Sequence, residues 1–235
     1  MKLTIIQTGD VPVPLRPDFG AYPPMFMRMF EAAGAGFAYD AVPVFDGAPF
    51  PDAAGLDAIL ITGSAAGVYD SHLSWLEPLR AFIRAAYAAK TPMLGICFGH
   101  QIMADALGGD VRKSEKGWGL GRHTYAATPR AESLGLALPA LRIACSHQDQ
   151  VIVPPAEADI ILASDFTPNA GLLYRNGAAM SLQPHPEFED GYTQALAELR
   201  RGKAPDATVD AAIASLATPS DSAETARRLT AFLRR

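Results

Sequence analysis

Short apolar runs alternate with stretches of helical periodicity along the first half of the chain. Leu3–Gln7, Ala38–Val44 and Ala58–Ile61 have the length and character of strands in a sheet. Between the first two, Tyr22–Ala33 is spaced as a helix and ends at Gly34 and Gly36. A clearer helix follows: Leu79, Phe82, Ile83, Ala86 and Tyr87 share one face, Arg80, Arg84 and Lys90 face away, and Pro78 lies in the first turn. Thr91–Ile96 then predicts a strand and Gly99–Leu107 a helix, closed by Gly108 and Gly109. Strand and helix in alternation predict an α/β fold with a largely parallel sheet.

The texture changes from Val111 to Met180, where glycine and proline punctuate short β-like pieces. Leu141–Cys145, Ile160–Ala163, Gly171–Tyr174 and Ala178–Leu182 are the predicted strands, and a helix spans about 191–201. Beyond Gly202, helical spacing persists in Val209, Ile213 and Leu216, then in Leu229, Phe232 and Leu233. The expected organisation is a domain over 1–201 with 202–235 as a helical extension packed on it.

A chain of 235 residues that is 49% hydrophobic can bury a full core. Its net charge of −5, with no long run of either sign, argues against nucleic-acid and membrane-surface partners. The apolar run at the start is too short for a signal peptide, and none reaches the roughly 18 residues of a membrane helix. Two cysteines 48 positions apart form no disulfide framework and suit a reduced, cytoplasmic setting. Gly34 and Gly36 lack the third glycine of a dinucleotide fingerprint, because Tyr39 stands there, and no phosphate-binding loop occurs. Cys145, His147 and His185 lack the paired spacing of a zinc site. Neither a cofactor nor a metal is expected.

The chemistry gathers at Gly95–Ile102, GICFGHQI. Glycines two residues before and two after Cys97, between a strand and a helix, have the form of a nucleophile elbow with cysteine in the serine position. A thiol becomes a nucleophile where a helix amino end and a neighbouring imidazole favour the thiolate. The candidate bases are His72, His100, His123, His147 and His185. His185 stands out in SLQPHPEF, because Pro184 and Pro186 hold it extended, and Glu187, two residues on, lies on the same side. That arrangement lets Glu187 orient the ring while its other nitrogen meets the thiol. The oxyanion donors expected are the backbone N–H of Phe98 and, from the loop ITGSAAG after Ala58–Ile61, that of Ser64, with Gly63 the next choice. Cys145, within an apolar strand, reads as an inert core residue. His72 and His100 have no evident partner, and His147 reads equally as a substrate-loop or a structural residue. Trp118 sits on a glycine-flanked hairpin-like stretch, where packing on the sheet is the default and an edge of the active site the alternative.

Gly95–Gln101 (GICFGHQ) followed by Pro184–Glu187 (PHPE) resembles the class I, triad-type glutamine amidotransferases. It is most similar to the glutaminase domain of GMP synthase and its stand-alone relatives, including plant γ-glutamyl peptidases, over roughly residues 55–190. The resemblance implies a flavodoxin-like three-layer α/β/α sandwich with a mostly parallel central sheet and a small antiparallel β region. It places the family's nucleophile on Cys97, its base on His185 and its acid on Glu187. Its glutamine-binding positions fall on Gln101 and on the loop 145–150 (CSHQDQ), where Ser146 and Gln148 would face the substrate's α-amino and α-carboxylate groups, and Gly63 is a further substrate-binding candidate. Two stretches depart from the family pattern. Gly63-Ser-Ala-Ala stands where Gly-Gly-Pro is usual, and Gln148 replaces the glycine of Ser-His-Gly-Asp. Both lie where the substrate is held, so they bear on specificity more than on chemistry.

The activity implied is release of ammonia and glutamate from a γ-glutamyl amide through a cysteine thioester, with glutamine or another γ-glutamyl compound as substrate. With no nucleotide site of its own, an amidotransferase of this kind needs a separate ATP-dependent synthetase subunit to use the ammonia. Two alternatives stay open: a γ-glutamyl peptidase or hydrolase, and a regulatory scaffold that turns nothing over.

Overall fold

The computed structural model describes residues 1–134 and 139–235. In chain order the elements are β1 (Lys2–Gln7), α1 (Arg16–Phe19), α2 (Tyr22–Ala32), β2 (Ala38–Pro43), β3 (Ala58–Ile61), α3 (Leu76–Ala89), β4 (Met93–Ile96), α4 (Phe98–Ala106), β5 (Asp110–Lys113), β6 (Gly119–Ala127), α5 (Pro129–Ser133), β7 (Leu141–His147), β8 (Asp149–Val153), β9 (Ala158–Ala163), β10 (Gly171–Tyr174), β11 (Ala179–Leu182), α6 (Asp190–Glu198), α7 (Asp206–Ser215) and α8 (Ser222–Leu233).

The main sheet runs β2-β1-β3-β4-β11-β10-β9-β6-β7, and β5 pairs with β8 apart from it. From β2 to β11 every pairing is parallel. From β11 to β7 every pairing is antiparallel. The parallel part has the doubly wound order 2-1-3-4-5 of flavodoxin-like folds. Its strands are apolar on both faces because helices cover both. Ile6, Ile59, Ile61 and Met93 pack against Phe82, Ile83, Phe98 and Ile102 of α3 and α4. Leu3, Ile5, Leu60 and Leu94 pack against Phe26 and Phe30 of α2 and Leu229 and Phe232 of α8. Alternate residues of one strand thus feed two cores, which makes the three layers.

The antiparallel side is larger than the sequence pattern indicates. Three strands go unpredicted from the sequence: β5 and β8, which pair with each other, and β6, whose start at Gly119 and run of Arg122, His123 and Thr124 hide its alternation. Gly121, at φ +80°, lets α7 approach so closely that a Cβ would lie 2.5 Å from Ala212 O. The Arg122 side chain is almost fully buried and holds the C-terminal segment. Its guanidinium donates to Leu216 O at 3.2 Å and also to Thr218 O and the Asp190 carboxylate. No helix among the described residues is long and apolar enough to cross a membrane.

Candidate active site

At the end of β4 the chain turns sharply into α4, and Cys97 takes the strain, with φ +54° and ψ −103°. Such a conformation costs a non-glycine residue roughly 1–3 kcal/mol, so its surroundings must impose it. Cys97 N–H donates to Leu182 O of β11 (2.8 Å), and Gly99 N–H to Thr62 O just past β3 (3.1 Å). The flanking glycines are demanded by contact. A Cβ on Gly95 would lie 2.5 Å from Gly99 O, and one on Gly99 would overlap Ile61 O. Cys97 therefore stands above the carboxyl edge of the sheet at the amino end of α4, near the β1/β3 point where strand order reverses.

Pairing of β4 with β11 puts Ile96 opposite Leu182, which delivers residues 183–187 beside the elbow. His185 N–H donates to Ala144 O of β7 (2.8 Å) and anchors this strip. His185 Nδ1 lies 2.7 Å from Glu187 Oε1, and its ring interacts electrostatically with Cys97. The imidazole lies flat on Phe188, with ring centroids 3.8 Å apart and planes 7° from parallel. Burial opposes its positive charge, but the charges of Cys97 and Glu187 and the hydrogen bond to Glu187 prevail and raise His185 to about 10.

The loop after β3 is set by a relay of hydroxyls. Thr8 N–H donates to Thr62 Oγ1 (3.0 Å), and Thr62 Oγ1 donates to Gly63 O (3.1 Å). With that carbonyl held on one side, planarity of the trans peptide points Ser64 N–H to the other. Neither Ser64 N–H nor Phe98 N–H has a hydrogen-bond partner among the described residues. A Cβ on Gly63 would lie 3.1 Å from His185 Cε1 and press on the imidazole.

A cavity of about 300 Å³ opens over Cys97, with Ser64, Gln101, Ser146 and Gln148 in its walls. Gln101 Nε2 donates to Asp149 O (2.8 Å) and Gln183 Oε1 (3.1 Å), and Gln183 Nε2 reaches Cys97 Sγ at 3.5 Å. Ser146 Oγ is buried without a partner. Of the sequence-predicted site residues, Cys97, Ser64, Gln101, Ser146 and Gln148 line this cavity, Gly63, Phe98 and His185 adjoin Cys97, and Glu187 stands behind His185. Among the residues not predicted from the sequence are Gln183 beside the thiol and Tyr69, Lys113 and Arg200 in the wall, where Trp118 also lies. For Gln183 the signal is present, because it lies two residues before His185 on an extended chain and so on the same side.

The remaining candidates separate clearly. His100 is fully buried, with Nδ1 2.8 Å from Ser181 Oγ, and burial lowers it to about 3. His147 is buried at the cavity wall and likewise lowered to about 3, by burial first and neighbouring histidines second. His72 is exposed. Burial pushes the Cys145 thiol up to about 12, in keeping with an inert core residue.

The family model of class-I glutamine amidotransferases matches residues 32–197. The chain belongs to that family. This amidotransferase-family chain is 33% identical over 142 residues to the Saccharomyces cerevisiae protein YLR126C, covering 58% of this chain and 55% of that one. It is 30% identical to gamma-glutamyl peptidase 3 of Arabidopsis thaliana, over 72% of this chain and 70% of the relative. It is also 30% identical to a glutamine-hydrolyzing GMP synthase component of Ignicoccus hospitalis, over 60% and 72%. The chain spans only 55% and 59% of the length of its two fungal relatives. A solved glutamine amidotransferase from Methylobacillus flagellatus shares the fold, with a TM-score of 0.77 at 20% identity over 99% of this chain and 94% of that one.

Proposed function

We propose that this amidotransferase-family chain is a cysteine hydrolase that cleaves a γ-glutamyl amide through a thioester on Cys97. One observation carries the proposal. A thiol on a strained turn, an imidazole tied to a carboxylate, and two unpartnered backbone N–H groups converge on one cavity. The Cys97 thiolate adds to the amide carbon, forming the C–S bond while the carbonyl oxygen takes the negative charge. Ser64 and Phe98 N–H groups donate to that oxygen. Collapse breaks the C–N bond, and His185 gives its proton to the leaving nitrogen. Glu187 holds the ring by Nδ1 and stabilises its charged form. Water, deprotonated by His185, then adds to the thioester, and glutamate leaves. Gln101, Ser146 and Gln148 hold the glutamyl end, and Gly63 keeps the floor low enough for the substrate to approach.

The leading substrate is glutamine, with ammonia as the leaving group. Relatives named as components of glutamine-hydrolyzing GMP synthase suggest that a separate ATP-dependent synthetase supplies the acceptor. The second reading, a γ-glutamyl peptidase, draws support from relatives of that name matched over 72% of the chain. Gln148 and the Ser64-Ala65 stretch, where the family has smaller or stiffer residues, also favour it. In both readings 1–201 carries the chemistry, 202–235 is an extension of that domain, and a reduced Cys97 suits the cytoplasm. Purified protein is assayed for ammonia from glutamine and for glutamate from γ-glutamyl dipeptides. Ammonia from glutamine selects the first reading, and glutamate from dipeptides alone selects the second. No glutamate from any of them, with Cys97 reduced, contradicts both.

A further inference from the structure

Two adjacent arginines follow α6, and they are treated in opposite ways. Arg201 turns outward to three carboxylates, those of Glu198, Asp206 and Asp210. Arg200 turns inward to the cavity that contains Cys97, and its guanidinium lies 4.5 Å over the ring of Trp118. The turn between them is fixed, since Arg200 O accepts from both Lys203 N–H and Ala204 N–H at 2.9 Å. Among the described residues no acidic side chain balances the charge of Arg200. Burial, the tyrosines at 22 and 192 and Cys97 are what it feels. Its Nε is buried with no hydrogen-bond partner. A permanently charged fork, half-buried and unpaired, is unfavourable unless an anion completes it.

We propose that Arg200, its guanidinium held over the indole of Trp118, is the receptor for a carboxylate of the substrate. The cation–π contact holds the guanidinium at the cavity wall, and a carboxylate meets its free donors with two parallel hydrogen bonds. The same cavity is also lined by a carboxylate: Tyr69 donates to Asp149 at 2.8 Å, and burial raises Asp149 above the usual carboxylate range. The other cation in the wall, Lys113, is exposed and lies toward Asp149. A cavity lined by both a carboxylate and an unanswered guanidinium suits a ligand carrying both ammonium and carboxylate. That is the chemistry of a γ-glutamyl compound. The substrate's identity rests on the hydrolase reading above, whereas the carboxylate site rests on Arg200 and Trp118.

The carboxylate comes from the glutamyl α-position or from the leaving group, and three compounds separate these sources. They are γ-glutamylglycine, γ-glutamylglycinamide, and γ-glutamylglycine with its α-carboxylate converted to the amide. Hydrolysis and protection of Cys97 from iodoacetamide are measured for the wild type, Arg200→Leu and Arg200→Lys. Thermal melting and the unprotected alkylation rate check that each variant keeps its fold and its thiol. The expected result is a roughly 10- to 100-fold weaker KM and protection in Arg200→Leu, confined to compounds that retain the recognised carboxylate, with kcat little changed. Lysine recovers part of the loss, because it keeps the charge without the flat fork. A loss seen with both glycine-acid compounds but not the glycinamide assigns the leaving-group carboxylate. A loss seen with both α-carboxylate compounds but not the α-amide assigns the glutamyl carboxylate. An equal effect on all three compounds, or none, overturns the proposal. If the wild type hydrolyses none of them while protection still depends on Arg200 and a carboxylate, the hydrolase reading fails and the carboxylate site stands.

Discussion

The parallel half of the sheet and its antiparallel half divide the site between them. From the parallel side, β3, β4 and β11 end in Thr62–Ser64, Cys97 and His185, the groups that would make and break bonds. The antiparallel side surrounds the cavity with Trp118 before β6, Ser146 on β7 and Gln148 beyond it, while Arg200 stands after α6. One half is held by two-sided apolar burial and by backbone bonds that fix a strained turn. At the cavity wall the other presents buried polar atoms with no hydrogen-bond partner among the described residues: Ser146 Oγ, His147 Nε2 and Arg200 Nε. The contrast teaches that chemistry and selection occupy different parts of one fold, and should yield to mutation in different ways.

The largest effect is expected from His185→Asn, which removes the proton carrier while sparing the elbow. Turnover should fall by about 10⁴-fold or more, with the melting temperature nearly unchanged, measured by steady-state kinetics and thermal unfolding. Next comes Thr62→Val, which keeps the shape and deletes the nearer of two hydroxyls on Gly63 O, leaving Thr8 Oγ1 at 3.3 Å. Held less firmly, the Gly63–Ser64 peptide should lower kcat roughly 10-fold with KM little moved, short of the ~10²–10³ for loss of an oxyanion donor. Ser146→Ala, on the other half, should raise KM by about 3- to 10-fold and leave kcat alone. A kcat effect from Ser146, or a KM effect from Thr62, would erase the division.

The smallest expected effect is on stability against pH. His100 and His147 are buried and neutral, each lowered to about 3 from an unfolded value near 6.5. Above that unfolded value neither state binds the proton, so the stability is fully present. Below it the unfolded chain takes up protons that the folded chain refuses, so stability declines as pH falls from about 6.5 toward 3. The melting temperature should drop across that window, and His100→Gln should flatten the slope.

Much of the parallel half is legible in the sequence because continuous apolar strands and amphipathic helices are strong local signals. The elbow is legible for a related reason: only glycine fits at 95 and 99, so the turn writes itself into the residue types. Pro184 and Pro186 similarly mark the strip that carries His185. The antiparallel half is harder to read. In β6 an interior arginine is buried because the C-terminal segment and Asp190 answer it, and no local pattern reveals so distant a partner. Trp118 and Arg200 lie 82 positions apart and meet only through the fold. Gln101 reads from the sequence as a substrate ligand, and the structure gives its amide a further role, joining Asp149 to Gln183 beside the thiol.

The most direct test of the central claim is to stop the reaction of a γ-glutamyl substrate with acid and map the protein by mass spectrometry. The expected result is a γ-glutamyl adduct on the peptide that contains Cys97, absent from a Cys97→Ala variant that melts like the wild type and releases no glutamate. Continued release of glutamate by Cys97→Ala, or an adduct on any other residue, would contradict the account.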